Sequence, residues 1–121
     1  MIVTIYHNPR CSKSRATLGL LRERGIEPTV IEYLETPPDA KRLKQLLKLL
    51  GLAPRDLMRK GEAAYKENRL ADPELDDAAL VAAMVAHPIL IERPIVVIKD
   101  AKGERAALGR PPENVLAILS V

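Results

Sequence analysis

The sequence predicts an α/β protein: a mixed four-stranded sheet in the order β-α-β, helical insertion, β-β-α. Three observations carry this. A β-branched apolar run at Ile2 to Tyr6 is followed by a Leu-rich helical pattern and a second apolar run around Val30 and Ile31, the span of one βαβ unit with parallel strands and a right-handed crossover. The middle of the chain, about residues 39–87, reads as helices without a strand pattern. Beyond it, Pro94 to Ile98 is the strongest β signal after the N-terminus, and a turn, a weaker strand and a closing helix follow. With 121 residues the chain suits one domain, 1–121, carrying the helical stretch as an insertion between two halves of the sheet.

Taken in order, the first strand gives way to a helix from about Ser12 to Arg24, closed by Gly25 as its C′ residue. Glu27 to Leu34 is the second strand, with Val30, Ile31 and Tyr33 as core or sheet positions. Thr36-Pro37-Pro38-Asp39 signals helix entry, with Thr36 or Asp39 as cap. Leu43, Leu46, Leu47 and Leu50 then recur at i, i+3, i+4 and i+7, an amphipathic helix ending at Gly51. Pro54 opens a short helical piece, Arg55 to Lys60, and a further fragment covers Glu62 to Asn68. Asp76 caps the next helix, where Leu75 and Leu80 occupy the hydrophobic-staple positions, and His87-Pro88 ends it. A turn at Asp100 to Gly103, in which Lys102-Gly103 is an acceptable hairpin pair, leads into a weaker strand, Glu104 to Leu108; a last helix carries Val115, Leu116 and Leu119.

Composition excludes several functions. A net charge of +3, with no block of like charges and only three scattered tyrosines among the aromatics, argues against nucleic-acid binding. No stretch approaches the length of a transmembrane helix and no leader pattern precedes the first strand, so the chain is expected to start at Met1, to bind no membrane and to reside in the cytoplasm. One cysteine excludes an intramolecular disulfide, and two distant histidines leave a structural metal site without ligands. No bound cofactor is expected.

That cysteine is the centre of the chain's chemistry. Cys11 falls at the strand-to-helix turn, where unsatisfied N–H groups and the positive end of the helix dipole favour thiolate, and Arg10, Lys13 and Arg15 add positive charge. A free cysteine is often only a small buried apolar residue, but these polar, cationic neighbours are those of a reactive thiol. Ser14, Arg15 and His7 are the candidates for supporting the thiolate; His7 reads equally well as a partly buried histidine bonded to backbone. His87, at a helix C-terminus, reads as structural. Arg22, Arg24, Arg42, Arg55, Arg69 and Arg105 lie among other charges and read as solvated. Arg93, wedged between Ile89–Ile91 and the strand opened by Pro94, and Arg110, between Gly109 and Pro111, are charges at strand mouths; Arg59 follows a short helix. Guanidinium groups gathered at a thiolate make a site for a tetrahedral oxyanion, because each planar fork binds two oxygens.

A parallel pair followed by a hairpin and a packed final helix is the thioredoxin-like arrangement. By analogy with that fold, Pro94 is the candidate for a cis peptide facing the cysteine.

Five segments together resemble the glutaredoxin-coupled arsenate reductases, the ArsC-like members of that superfamily. They are Ile5 to Arg15 (IYHNPRCSKSR), Tyr33 to Pro38 (YLETPP), Leu57 to Lys60 (LMRK), His87 to Val97 (HPILIERPIVV) and Gly109 to Pro112 (GRPP). The resemblance implies that Cys11 is the nucleophile, that Arg59, Arg93 and Arg110 bind arsenate and its thiol adducts, and that His7 supports the thiolate. It further implies glutathione as co-substrate and glutaredoxin as partner, which agrees with the absence of a second thiol in this chain. Some members carry an additional C-terminal segment. Two other activities belong to related proteins: a monothiol glutathione-dependent thiol/disulfide reductase, and a thioredoxin-like regulator that binds RNA polymerase. The regulator is disfavoured because Ser14 stands where its redox switch needs a second cysteine. Phosphatase-like reductases are excluded, since they need arginine six residues after the cysteine and position 17 is Thr.

Overall fold

A computed structural model describes residues 1–119, and it groups them into two compact units. One consists of the chain up to Thr36 together with the chain from Arg93 onward; the other is Pro37–Glu92.

The first unit holds the whole sheet. Strand β1 (Ile2–His7) pairs in parallel with β2 (Thr29–Glu32) and antiparallel with β3 (Ile95–Asp100), and β3 forms a hairpin with β4 (Gly103–Leu108), giving the order β2-β1-β3-β4. Helix α1 (Ser12–Glu23) makes the crossover from β1 to β2. A 3₁₀ turn at Pro112–Val115 leads into the short α5 (Leu116–Leu119), and both pack on β4. Val3 and Ile5 of β1, Val96 and Ile98 of β3, Leu21 of α1 and Val115 form one buried cluster. Alternate residues of adjacent strands thus present one apolar face, which α1 and the C-terminal turn cover. This is the mixed sheet the sequence predicts.

Three details differ from expectation. The second strand is confined to Thr29–Glu32, shorter than Glu27 to Leu34, because it lies at the sheet edge and pairs only where β1 runs beside it. Consequently Val30 is not core: it is 38% exposed, whereas Tyr33, just past the strand, is 1% exposed. The hairpin reverses over Asp100 to Gly103 as expected, but with Asp100 paired to Gly103 its two central residues are Ala101-Lys102 rather than Lys102-Gly103. Asp100 Oδ1 accepts the Lys102 N–H at 2.9 Å, and Gly103 takes a φ of +116°, which a side chain would resist.

The second unit contains α2 (Ala40–Leu50), α3 (Ala63–Glu67) and α4 (Asp77–Ala86), with 3₁₀ turns at Pro54–Leu57 and Pro88–Leu90. Asp39 caps α2 through the Arg42 N–H and Asp76 caps α4 through the Ala79 N–H, both at 2.8 Å. Gly51 ends α2 at a φ of +68°. Leu43, Leu46 and Leu47 are buried, as are Leu80, Val81 and Met84 on α4, and the two helices pack together. The piece expected from Arg55 to Lys60 is only the 3₁₀ turn; beyond it Met58 enters an isolated antiparallel bridge with Ile91. Arg55, expected to be merely solvated, donates to the carbonyls of Leu70 and Asp72 and so ties down the loop before α4.

Candidate active site

Cys11 is the N-cap of α1, with extended backbone (φ −95°, ψ 123°), so its thiol sits where the first amides of the helix are unpaired. The chain reaches it through a tight turn: the Cys11 N–H donates to the Asn8 carbonyl at 3.0 Å, and Asn8 Oδ1 accepts the Arg10 N–H at 2.9 Å. Asn8-Pro9 favours that turn, since an Asx side chain mimics a backbone acceptor and Pro fixes φ. Burial alone raises the Cys11 pKa. The backbone amides of Ser14 and Lys13, and the Arg93 guanidinium by hydrogen bond and charge, outweigh it and hold the thiol below its ordinary value.

Two arginines from the far end of the sequence meet this thiol. Arg93 is 7% exposed, at the mouth of β3. Arg110 Nη1 lies 3.9 Å from Cys11 Sγ and donates to the Arg93 carbonyl at 3.1 Å. Each precedes a cis proline, since both the Arg93–Pro94 and Arg110–Pro111 peptides are cis; nothing in the sequence singled out the second. Gly109 lets the two strand ends approach: its N–H donates to the Pro94 carbonyl at 3.0 Å, and an added Cβ would lie 2.8 Å from Pro94 Cγ and collide with Thr17 Oγ1.

Behind the thiol, Ser14 is fully buried and organises the loop. Its Oγ accepts the Asn8 N–H at 3.0 Å and stands 2.7 Å from His7 Nδ1. Burial first, then the charges of Arg22 and Arg15, lower the His7 pKa, while Glu32 opposes them. The shift favours the neutral imidazole, and Nδ1 shares a hydrogen bond with the Ser14 hydroxyl. The hydrogen bond of His7 thus goes to Ser14, whose own backbone N–H faces the thiol. Arg15 Nη1 donates to the Pro9 carbonyl at 3.0 Å, so it fastens the loop. Asn8, which sequence reasoning did not single out, is 3% exposed; the Asn-Pro step before the cysteine was its available signal.

Arg59 belongs to the other unit. Its Nε and Nη1 bond Glu62 at 3.1 Å and Glu92 at 3.2 Å, and its N–H donates to the Leu90 carbonyl at 2.7 Å.

Fold and site together define a thioredoxin-like protein with a single activated thiol flanked by guanidinium groups. The chain belongs to the ArsC family, whose model matches residues 6–118. It is 59% identical to the uncharacterized protein YfgD of Escherichia coli K12, over 97% of this chain and 96% of that one. It is 53% identical to an arsenate reductase of Neisseria meningitidis serogroup A over 97% of both. Among solved structures, the arsenate reductase from Vibrio cholerae superposes with a TM-score of 0.91 at 56% identity, covering 98% of each chain.

Proposed function

We propose that this protein is an arsenate reductase that uses Cys11 as nucleophile and draws its electrons from glutathione and glutaredoxin. The observation that carries the reading is the lone thiol held low in pKa with Arg93 and Arg110 beside it. Relatives named arsenate reductase at about half identity over nearly the full length support the substrate. The absence of a second cysteine supports an external thiol as reductant.

The chemistry follows from those groups. The guanidinium groups offset the repulsion between thiolate and oxyanion and hold arsenic in line for attack. Cys11 sulfur bonds to As(V), and one arsenate oxygen leaves as water. A glutathione thiol displaces a second oxygen in the same way. The thiolate of glutaredoxin then attacks the glutathione sulfur: an S–S bond forms, the S–As bond breaks, and its electron pair stays on arsenic, now As(III). Water cleaves the Cys11–As(III) bond, returning the thiol and releasing arsenite. Two thiols are oxidised to one mixed disulfide, which balances the two electrons gained by arsenic. Ser14, His7 and Arg15 hold the loop and thereby the thiolate. Arg59 joins Arg93 and Arg110 as a ligand of the oxyanion on the strength of the Leu57–Lys60 motif. A reducing compartment, the cytoplasm, suits a free reactive thiol.

The test is arsenate-dependent oxidation of NADPH in a system supplying glutathione, glutathione reductase and glutaredoxin. Turnover that Cys11→Ser abolishes supports the reading. A wild-type protein that reduces glutathione mixed disulfides but leaves arsenate untouched refutes it in favour of a thiol/disulfide reductase.

A further inference from the structure

A cleft of about 270 Å³ opens on the β2 side of the cysteine loop, lined by Asn8, Pro9, Arg10, Glu32, Leu34 and Glu35. Its size is close to the lower end of small-ligand sites, about 300 Å³. Its walls carry charges that the fold does not use. Among the described residues, neither the Arg10 guanidinium nor the Glu35 carboxylate is held in a hydrogen bond or ion pair, and Glu32 acts only through its charge on His7. By contrast, nearby Glu27 is engaged by Arg22 at 3.0 Å. Leu34, 39% exposed, adds apolar surface to the same lining. A cation and two anions around an apolar step fit a small zwitterion that carries an ammonium, a carboxylate and methylene groups. One wall is Asn8-Pro9-Arg10, the segment that runs directly into Cys11, so a ligand held on Arg10 lies one residue along the chain from the nucleophile.

We infer that this cleft is the glutathione subsite, with the γ-glutamyl ammonium on Glu32 and Glu35 and the glycyl carboxylate on Arg10. The inference rests on the proposed glutathione-dependent reaction and adds where the co-substrate docks. A tripeptide anchored at its two ends presents its central residue, the one bearing the thiol, along the turn that leads to Cys11. Arg10 selects the carboxylate end of the tripeptide, while the two carboxylates select its ammonium end.

Two measurements test this on the full chain. Titration with S-methylglutathione, which cannot react, is followed by amide chemical shifts. Perturbations centred on His7–Arg10 and Glu32–Glu35 are expected; perturbations centred on the Arg93–Pro94 mouth, or none at millimolar ligand, overturn the assignment. In turnover, Glu35→Gln should raise KM for glutathione about tenfold, the loss of one charge-assisted hydrogen bond, without changing KM for arsenate. N-acetylated glutathione, which lacks the ammonium, should be penalised with the wild type and not further with Glu35→Gln. An unchanged KM for glutathione in a working arsenate assay overturns the subsite and leaves the activity standing. If no arsenate turnover exists, the activity fails and the titration still decides the subsite.

Discussion

The guanidinium of Arg110 spans the candidate active site: its Nη1 atom is 3.9 Å from Cys11 Sγ and 3.1 Å from the carbonyl of Arg93. It therefore holds the two strand mouths together and places charge on the thiol with the same group. Arg110→Ala should lower kcat/KM for arsenate about 10²-fold, the scale of removing one preorganised donor from an oxyanion site. Arg110→Lys should recover only part of it, because an ammonium lacks the planar fork that binds two oxygens of one oxyanion. Steady-state kinetics with arsenate as the varied substrate measure both.

Cys11 should alkylate with a pH midpoint below that of an ordinary thiol, and Arg93→Ala should move the midpoint up, since the guanidinium stabilises only the thiolate. Iodoacetamide rates against pH read this directly. The same shift acts on stability. Between the folded pKa and the higher unfolded one, the unfolded chain keeps the proton, so stability rises with pH; the gain is complete above the unfolded value of about 8.5 and is lost as pH falls through the folded one. Urea unfolding of wild type against Cys11→Ser should show that difference growing with pH up to the unfolded value and no further. His7, also lowered, works in the same direction at lower pH: its contribution is full above about 6.5 and fades as pH falls below it.

Much of this arrangement was legible in the chain. The strand Ile2–His7 and the helix from Ser12 announce themselves by period, so the position of Cys11 between them follows. Arg93 and Arg110 stood out because a charge at a strand mouth has no solvent face to belong to. What local pattern does not carry is pairing. Val30 looks like core until β2 proves to be an edge strand, and Tyr33, outside the strand, is the buried residue instead. Arg22, Arg55 and Arg105 read alike as solvated, yet Arg55 ties down two carbonyls and Arg105 bonds Asp100 and the Ile118 carbonyl. Such partners lie from five to seventeen residues away, beyond any helical or strand period.

The helical unit should depend on its caps. Asp39→Ala and Asp76→Ala each remove an acceptor from the first turn of α2 or α4 and should each cost about 1 kcal/mol in urea unfolding. Replacement by Ser, which also caps, should restore most of the loss. An equal loss with Ser and Ala would mean that the carboxylate charge at the helix dipole, rather than the hydrogen bond, is what matters.

Two glycines should respond oppositely to the same methyl group. Gly19, inside α1, has nothing within 4 Å of an added Cβ, so Gly19→Ala should stabilise the protein by about 1 kcal/mol through helix propensity alone. Gly109 has an ordinary φ but no room: its Cβ would meet Thr17 Oγ1 and lie 2.8 Å from Pro94 Cγ. Gly109→Ala should therefore cost about 1–3 kcal/mol, the range for overpacking. Because the strain falls on the residue before Arg110, the variant should also lose arsenate turnover out of proportion to its stability. Shortening the obstacle by Thr17→Ser removes only Cγ2 and leaves Oγ1 in place, so it should not rescue Gly109→Ala, whereas Thr17→Ala should do so in part, the 2.8 Å approach to Pro94 Cγ remaining. Thermal unfolding and turnover of these variants, measured side by side, separate the packing of this contact from its effect on the arginine.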